Sequence, residues 1–302
     1  MRNLARLAMV VVLGCGCALG QQMGQAVSEA TVVATPAMWR VKGAHGTIYL
    51  FGSVHVMKPN VDWEIDKVKL ALTSSDLLYL EIANIDDLAS AQPVIMQAGI
   101  DAEHPLSTKI SKDDVALLDA AAKTMGLPGE QSFEAMRPWL VSATLSMLPM
   151  VKAGYAPTSG IDMKLLAEAK VEQKPVKGFE TMAEQMHMLS DEPEAEQVKM
   201  LHKDLVEMDK SAADTNALVE AWEKGDVEKI GKIDNDELAT KYPAEYQRIV
   251  VDRNTKWTVV LDGLLKDPQT GTVFVAVGAA HLAGPDSVLK MLEKDGWKVE
   301  RQ

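Results

Sequence analysis

The chain has 302 residues, of which 47% are hydrophobic and 25% are charged, and its formal net charge at pH 7 is −12. This length is enough for one large domain or two small ones with a sizeable core. The acidic residues are spread along the chain rather than gathered in a tail, so the charge argues against nucleic acid as a partner.

The first 20 residues have the order of a secretory signal. Arg2 and Arg6 precede the apolar run 7–13, and small residues suited to cleavage follow. The apolar run is shorter than the roughly 20 residues that cross a membrane. We therefore predict a signal peptide over residues 1–20 and a periplasmic or secreted protein.

Both cysteines, Cys15 and Cys17, lie within this predicted signal. A mature chain would then have no thiol, which excludes disulfides and cysteine nucleophiles. Residues 12–15 resemble a bacterial lipoprotein cleavage box, although Leu13 is unusual at that position. Membrane attachment is expected only if Cys15 is lipidated.

The first predicted elements form a β-hairpin. Residues 21–36 are small and polar and predict a linker, so we expect the folded domain over residues 37–302 and its first strand at Met38. Two strand-like runs, 38–42 and 47–51, flank the glycine-bounded turn 43–46. His45 is expected to be a solvated residue of that turn.

A β-α-β unit is predicted next. Helical spacing begins behind a potential cap at Asp62 and continues to Leu72. The apolar run 76–82 then has strand length and contains a single internal carboxylate, Glu81. The strand before this helix and the strand after it are expected to be parallel.

The middle of the chain, from about residue 85 to 265, is predicted to be mostly helical. The short strand 174–179 interrupts it, and the end of the chain contains the strand 272–277, a helix to Glu293 and a closing strand over 297–300. The predicted fold class is α/β, with a mixed central sheet, flanking helices and a helical middle region. The predicted helices of the middle region cover 86–98, 111–125, 134–152, 160–171, 181–209, 212–224 and 236–265.

A Gly-x-x-His motif follows each of two apolar strands, at His55 and at His281. Glu81 ends the strand after His55, and Glu180 follows the short strand 174–179. Ligands of open α/β sheets bind beyond the carboxyl ends of the strands, so these four side chains are expected at one rim. Two imidazoles and one or two carboxylates suit Zn, Mn, Fe or Co.

Other interpretations of these residues stay open at this point. Each histidine alone fits a hydrogen-bonded loop residue equally well. A copper site is conceivable around the Met and His residues of 182–202, but methionines at helical spacing more often fill a core. Ser53 has no Gly-x-Ser-x-Gly elbow around it, which argues against a serine nucleophile.

These motifs together resemble the TraB/GumN family, which includes the TIKI metalloproteases and is structurally akin to the erythromycin esterase and ChaN group. The resemblance covers nearly the whole mature chain, from Met38 to Val299. It is carried by Trp39, by residues 49–55, 79–81, 137–139, 160–162 and 178–181, by Gln185, by 252–254 and 277–282, and by Gly284.

The resemblance implies roles for individual residues. It places the two motif histidines at His55 and His281, their acidic partner at Glu81 and an arginine at Arg253. Glu180 and Asp162 are weaker assignments, and Asp162 also fits an acid in the first turn of a helix. Without the resemblance, Arg253 would be interpreted as a solvated residue of a long amphipathic helix. With it, Arg253 is expected to hold a substrate carboxylate or an oxyanion.

The sequence therefore predicts an exported, metal-dependent hydrolase of peptide or amide bonds. His55, Glu81 and His281 are the predicted ligands of a divalent ion, Mn, Co or Zn, and Glu180 is the predicted proton acceptor. A peptide or small molecule is the expected substrate. The alternative is a haem- or metal-binding protein, or a non-catalytic accessory of the envelope or of polysaccharide export.

Overall fold

A computed structural model describes the backbone of residues 31–302 and all side chains in that range except those of Leu148, Asp209, Ser211 and Ala212. The predicted signal peptide over 1–20, Cys15 with its predicted lipidation, and most of the predicted linker lie outside these residues. The first described strand lies within the predicted linker, earlier than the start predicted at Met38, because Val32 and Val33 pair with residues 61–62.

A six-stranded mixed sheet forms the centre of the fold, as predicted. Its strands run in the order β6-β5-β7-β3-β2-β8. The neighbours β6, β5, β7 and β3 are parallel to one another, whereas β2 pairs antiparallel with both β3 and β8. The strands are β1 (Val32–Val33), β2 (Met38–Lys42), β3 (Thr47–Ser53), β4 (Val61–Asp62), β5 (Leu77–Ile82), β6 (Val176–Glu180), β7 (Thr272–Gly278) and β8 (Val299–Arg301).

The central strand β7 is apolar on both faces. Residues Val273 to Val277 are all at most 1% exposed, so both faces of the strand are buried. Such continuous apolar strands are typical of parallel sheets with helices on each face. Trp257 and Leu261, from the last long helix, belong to the same core cluster as Val275.

The helices follow the predicted pattern with several changed boundaries. They are α1 (Asp66–Thr73), α2 (Leu88–Gly99), α3 (Lys112–Thr124), α4 (Pro138–Lys152), α5 (Ile161–Val171), α6 (Met182–Ser190), α7 (Glu194–Val206), α8 (Met208–Glu223), α9 (Val227–Gly231), α10 (Glu237–Lys241), α11 (Pro243–Tyr246), α12 (Asp252–Lys266) and α13 (Val288–Lys294). Two π-helical turns, Lys232–Asp236 and Gln247–Val251, lie next to α10 and α12.

Three of the wrong boundary predictions have a clear physical cause. The helix predicted from Asp62 begins at Asp66, because Asp62 pairs with β1 instead of capping the helix. The helix predicted over 181–209 is broken before Pro193, since the residue preceding a proline is disfavoured in the α conformation. The helix predicted over 236–265 is interrupted at Pro243 and again by the π-helical turn that ends at Val251.

The described chain divides into two compact units. One contains residues 86–155 and 182–215, which form helices around their own core cluster, including Phe133, Leu145 and Leu201. The other contains residues 31–85, 156–181 and 216–302, and includes every strand. Among residues 31–302, no helix is long and apolar enough to cross a membrane.

Candidate functional site

The four parallel strands bring the predicted site residues to one edge of the sheet. β3 ends at Ser53, two residues before His55, and β7 ends at Gly278, three residues before His281. Glu81 lies one residue before the end of β5, and Glu180 is the last residue of β6. Because the carboxyl ends of parallel strands point the same way, the side chains after them share this rim.

Gly278 lies at the point where three of these side chains meet. A Cβ atom at this glycine would lie 3.2 Å from Oε1 of Glu81, 3.5 Å from Cδ2 of His281 and 3.8 Å from Nε2 of His55. The Glu81 oxygen and the His55 nitrogen are therefore at most about 7 Å apart, the sum of their distances to that point. The backbone N–H of Gly278 also donates to Glu81 Oε1, at 2.8 Å.

Arg253 occupies the middle of the rim. Its guanidinium has five N–H groups, and the structure directs them to three side chains and one carbonyl. Nε and Nη2 donate to Glu180 at 2.9 and 2.8 Å, Nη2 donates to Glu81 at 2.6 Å, and Nη1 donates to His281 at 3.0 Å and to the carbonyl of Ile249 at 3.4 Å. The side chain is only 2% exposed.

The structure places Arg253 in the rim and not in solvent. The solvated position expected from the helical pattern alone was wrong, because the side chain points from α12 into the rim. The guanidinium is already bound to Glu81, Glu180 and His281, so it acts as a cross-link between strand ends. Nearby carboxylates outweigh the effect of burial and raise the Arg253 pKa, so the side chain stays charged.

His281 is buried and neutral. Its Nδ1 lies 2.7 Å from Oδ1 of Asn254, and its Nε2 lies 3.0 Å from Nη1 of Arg253. An amide oxygen only accepts and a guanidinium only donates, so Nδ1 carries the proton and Nε2 accepts. Burial and the charge of Arg253 lower the His281 pKa to about 3.

His55 is held in the opposite charge state. Its Nδ1 lies 2.7 Å from Oδ2 of Asp162, whose other oxygen accepts from the hydroxyl of Ser53 at 2.7 Å. Burial alone lowers the His55 pKa, but the charge and hydrogen bond of Asp162 outweigh this and raise it to about 9. At neutral pH the ring is therefore mainly a cation with Asp162 as its buried partner.

Glu81 supplies the negative charge next to both histidines. Burial alone raises its pKa, but the positive charges of Arg253 and His55, together with the Gly278 N–H, hold the pKa well below its usual range. The carboxylate is 7% exposed on its side chain, and Glu180 is 11% exposed. The rim thus carries two carboxylates on Arg253, a third on His55 and one neutral imidazole.

A separate segment clamps the loop that carries His55. Met57 and Ala156 exchange two backbone hydrogen bonds, and the N–H of Ile161 donates to the carbonyl of Val54 at 3.0 Å. The segment continues into α5, whose first turn contains Asp162. The clamp therefore places the Asp162 carboxylate beside His55 and also holds the His55 loop in position.

The backbone of this clamp lies closest to the His55 peptide at Gly160. A Cβ atom there would lie 2.2 Å from the carbonyl oxygen of His55 and 2.7 Å from its carbon. Any side chain at this position must push the two backbones apart. The glycine lets the start of α5 lie against the His55 peptide.

Comparison with known proteins identifies the family. The sequence profile of the TraB/PrgY/gumN family matches residues 37–301, which is most of the chain. The chain belongs to this family. Individual relatives share about a quarter of their residues with this chain. A protein of Treponema pallidum (strain Nichols), described as uncharacterized, is 24% identical over 276 residues, which cover 85% of this chain and 80% of the relative.

Other relatives of this TraB/PrgY/gumN protein are equally distant. The uncharacterized protein YbaP of Escherichia coli (strain K12) is 26% identical over 247 residues, covering 81% of this chain and 87% of the relative, and YbaP of Shigella flexneri gives the same values. No solved structure matches the chain. The predicted likeness to the erythromycin esterase and ChaN group therefore stays a prediction.

The donor types at the rim suit a metal ion, but their present bonding does not. Oε2 of Glu81 and Nε2 of His281 both accept from Arg253, so their lone pairs point at a guanidinium. Within residues 31–302, no three His, Cys, Asp or Glu side chains are grouped so that they could hold an ion. A metal bound by Nε2 of His281 would require Arg253 to release that nitrogen, whereas Oε1 of Glu81 accepts from the Gly278 N–H.

Two residues of this rim lie in runs that carry the family resemblance, but the sequence did not indicate their partners. Asn254 directly follows Arg253, but nothing in the sequence indicates that it binds His281. Asp162 was a weak assignment with a rival role in a helix turn, whereas the structure buries it against His55. In both cases the partner lies far away along the chain, and spacing carries no information about such pairs.

Three of the four methionines between residues 182 and 202 are buried, as the predicted core role requires, and the fourth, Met188, is half-buried. Met186 is fully buried, and Met182 and Met200 are at most 9% exposed. The two histidines nearby are exposed and pair with carboxylates, His187 with Asp191 and His202 with Asp114.

Proposed function

We propose that this protein is an exported hydrolase that cleaves a peptide or amide bond at the strand-end rim, with His55 activating water. One observation carries the proposal: His55 is bound to buried Asp162 through Nδ1, while its Nε2 faces the space beside Gly278 and Glu81. A histidine oriented by a carboxylate, with its other nitrogen directed into a site, is a common arrangement for general-base catalysis. The His55 side chain is 14% exposed.

The proposed reaction uses one proton of water. Neutral His55 accepts a proton on Nε2 from a water molecule, whose oxygen attacks the carbonyl carbon of the bond. The C–N bond then breaks, and the imidazolium returns the proton to the leaving nitrogen. The products are a carboxylic acid and an amine, and Asp162 stabilises the cationic ring between the two steps.

Arg253 and Glu180 have supporting roles in this proposal. Glu180 was the predicted proton acceptor, but both of its oxygens accept from Arg253, so the proposal gives the water-activating role to His55 instead. The pair fixes β6 to the rim, and Arg253 in turn holds Glu81 beside Gly278. Their contribution is the position and charge of the groups that face the substrate.

The raised pKa of His55 predicts the pH dependence of the reaction. Only the neutral ring accepts a proton, and with a pKa of about 9 the neutral fraction grows throughout the range from pH 6 to 9. We expect kcat/KM to rise across this range and to level off above it. The substitution Asp162→Asn should move the rise to lower pH, because it removes the charge that holds the proton on the ring.

A metal-dependent form of the same hydrolysis is the second candidate. It is favoured by the meeting of two imidazoles and a carboxylate around Gly278. The donor set fits Mn, Co or Zn by type, and the family resemblance points the same way. The haem-binding and non-catalytic alternatives also stay open to the experiment below.

A cleavage assay separates these candidates. The mature protein is incubated with a mixed peptide library, with and without a chelator, beside the variants His55→Gln and His45→Gln. His45 is exposed in the turn after β2 and serves as the matched control. Cleavage that survives the chelator and is lost only in the His55 variant supports the proposal.

The other outcomes of this assay each select a different function. Cleavage abolished by the chelator and restored by one ion selects the metal-dependent enzyme. A Soret band in the purified protein, without cleavage, selects the haem binder. Absence of cleavage and of a Soret band in every sample would leave a non-catalytic accessory protein and would refute the hydrolase.

The proposal also includes export. Mass spectrometry of the protein from fractionated cells tests it, because signal removal shortens the chain by about 20 residues. A chain that retains Met1 and fractionates with the cytoplasm would contradict export. A diacylated Cys15 would place the protein at a membrane surface instead.

A further inference from the structure

The turn that carries His281 is held by two asparagines with different targets. Asn254 faces the imidazole, with Oδ1 2.7 Å from Nδ1. Asn235 faces the backbone, and its Nδ2 donates to the carbonyls of Ala280 and Ala283 at 2.9 and 3.1 Å. One asparagine therefore contacts the ring and the other contacts the turn.

The orientation of the Asn254 amide is determined by a third group. Its Nδ2 donates to the carbonyl oxygen of Asp286 at 2.7 Å, so its Oδ1 must be the atom that faces His281. An amide oxygen accepts hydrogen bonds and cannot donate them. The Nδ1 atom of His281 must then be the protonated nitrogen.

The opposite tautomer of His281 would make both contacts of its ring unfavourable. With the proton on Nε2, the ring would present an N–H to Nη1 of Arg253, and Nδ1 would present a lone pair to the Asn254 oxygen. Both contacts would then be repulsive. Because the guanidinium is planar and rigid, moving Nη1 away would also disturb the bond from Nη2 to Glu81.

We propose that Asn254 is a positioning residue of this site: its amide oxygen fixes the His281 proton on Nδ1, so that Nε2 binds Arg253 and the guanidinium is held against Glu81. The chain of contacts runs from Asp286 through Asn254, His281 and Arg253 to Glu81, and all five groups are in the same compact unit. Asn254 is fully buried, so water does not compete for its oxygen. The proposal holds whether or not the rim hydrolyses a substrate.

Nitrogen-15 NMR of the histidine rings tests this proposal directly. Long-range proton–nitrogen spectra of the chelator-treated mature protein at about pH 8 distinguish a ring protonated on Nδ1 from one protonated on Nε2. The His281 signal is assigned by its loss in His281→Gln. In the wild-type protein we expect a single Nδ1–H form, and an Nε2–H ring would overturn the proposal even if no variant folds.

Three variants separate positioning from simple structural support. Asn254→Leu has a similar size but no acceptor, and we expect a mixture of both ring forms. Asn254→Asp keeps an acceptor oxygen and adds a charge, as Asp162 does beside His55, and is expected to keep the proton on Nδ1. Asn235→Ala weakens the turn without touching the ring, so its melting temperature should fall while the ring form stays unchanged.

Two outcomes for the variants would refute the role of Asn254. If Asn254→Leu keeps a pure Nδ1–H ring, Arg253 alone sets the proton position. If Asn254→Asp loses the Nδ1–H form as completely as the leucine variant, the acceptor oxygen is not the cause. Neither result depends on cleavage of any peptide, so failure of the proposed hydrolase would leave this test intact.

Discussion

Replacing Asp162 with asparagine tests whether its charge sets the protonation of His55. Burial lowers the His55 pKa, but the charge and hydrogen bond of Asp162 outweigh it, and the pKa rises from 6.5 to about 9. This net shift corresponds to about 3 kcal/mol in favour of the protonated ring. Asparagine keeps an oxygen at this position but has no charge, while the burial that lowers the pKa remains. We expect the His55 pKa of the variant to lie at or below 6.5, the ordinary value.

The same substitution has a defined effect on stability. Because the folded-state pKa of His55 is raised, the pair stabilises the fold fully below pH 6.5, and this stabilisation is lost as the pH rises through about 9. The difference in unfolding free energy between wild type and Asp162→Asn should therefore shrink by about 3 kcal/mol from pH 6 to 9. A remainder that does not vary with pH reflects the altered partner of Ser53.

Two measurements check this reasoning. Histidine NMR titrations give the pKa, with the His55 signal assigned by its loss in His55→Gln, and urea unfolding at several pH values gives the free energies. The signal of the exposed His45 serves as an internal control. A His55 pKa that stays near 9 in the variant, or an energy difference that is constant with pH, would refute the assigned role of Asp162.

Further substitutions test the packing around the rim. Gly160→Ala should destabilise the fold by about 1–3 kcal/mol, because the new methyl group collides with the His55 peptide, whereas Gly263→Ala, with open space around it, should be neutral or stabilising in thermal melts. Arg253→Lys should cost about 3–5 kcal/mol in urea unfolding, since one ammonium cannot bind all the partners and leaves buried carboxylates unpaired; a cost under about 1 kcal/mol would mean that the carboxylates find other partners. Val275→Asp should prevent folding, because the free-energy cost of burying an unpaired carboxylate exceeds the free energy of unfolding of a domain. His281→Ala should cost about 1–3 kcal/mol for each partner left unsatisfied, and a melting curve equal to wild type would contradict this.

The cost expected for His281→Ala differs from what the sequence alone suggests. When a histidine in a loop after a strand loses its ring, we expect no large cavity and only a small loss of stability. In the structure the ring is 6% exposed and binds both Asn254 and Arg253. The loop position was correctly inferred, but the burial of the loop was not.

The sheet was largely predictable because its strands are marked by local pattern. The runs 38–42, 47–51, 76–82 and 272–277 are apolar and bounded by turn residues, and each became a strand within one or two positions. The rim followed from the rule that ligands gather beyond the carboxyl ends of parallel strands. The break at Pro193 was also marked in the sequence, since a proline disfavours helix at the residue before it.

The partners within the rim were not predictable in the same way. His55 and Asp162 are 107 positions apart, and Arg253 and Glu81 are 172 apart. No periodicity relates such residues, and their pairing depends on the strand order β6-β5-β7-β3 and on the clamp before α5. Residue types at strand ends indicate which groups are present, whereas the fold decides which of them touch.

The two Gly-x-x-His motifs illustrate this division. Each motif carries its histidine just past a strand end, and sequence alone treats the two as equivalent ligands. The groups bound to the two rings differ. Nδ1 of His55 binds a buried carboxylate, whereas Nδ1 of His281 binds an amide oxygen and its Nε2 binds a guanidinium. The first ring is therefore held as a cation and the second as a neutral acceptor, with pKa values of about 9 and about 3. Two groups kept in opposite protonation states at one pH can serve different steps of a reaction. For this reason a mechanism that gives both histidines the same role is a weaker account of the rim than one that gives them different roles.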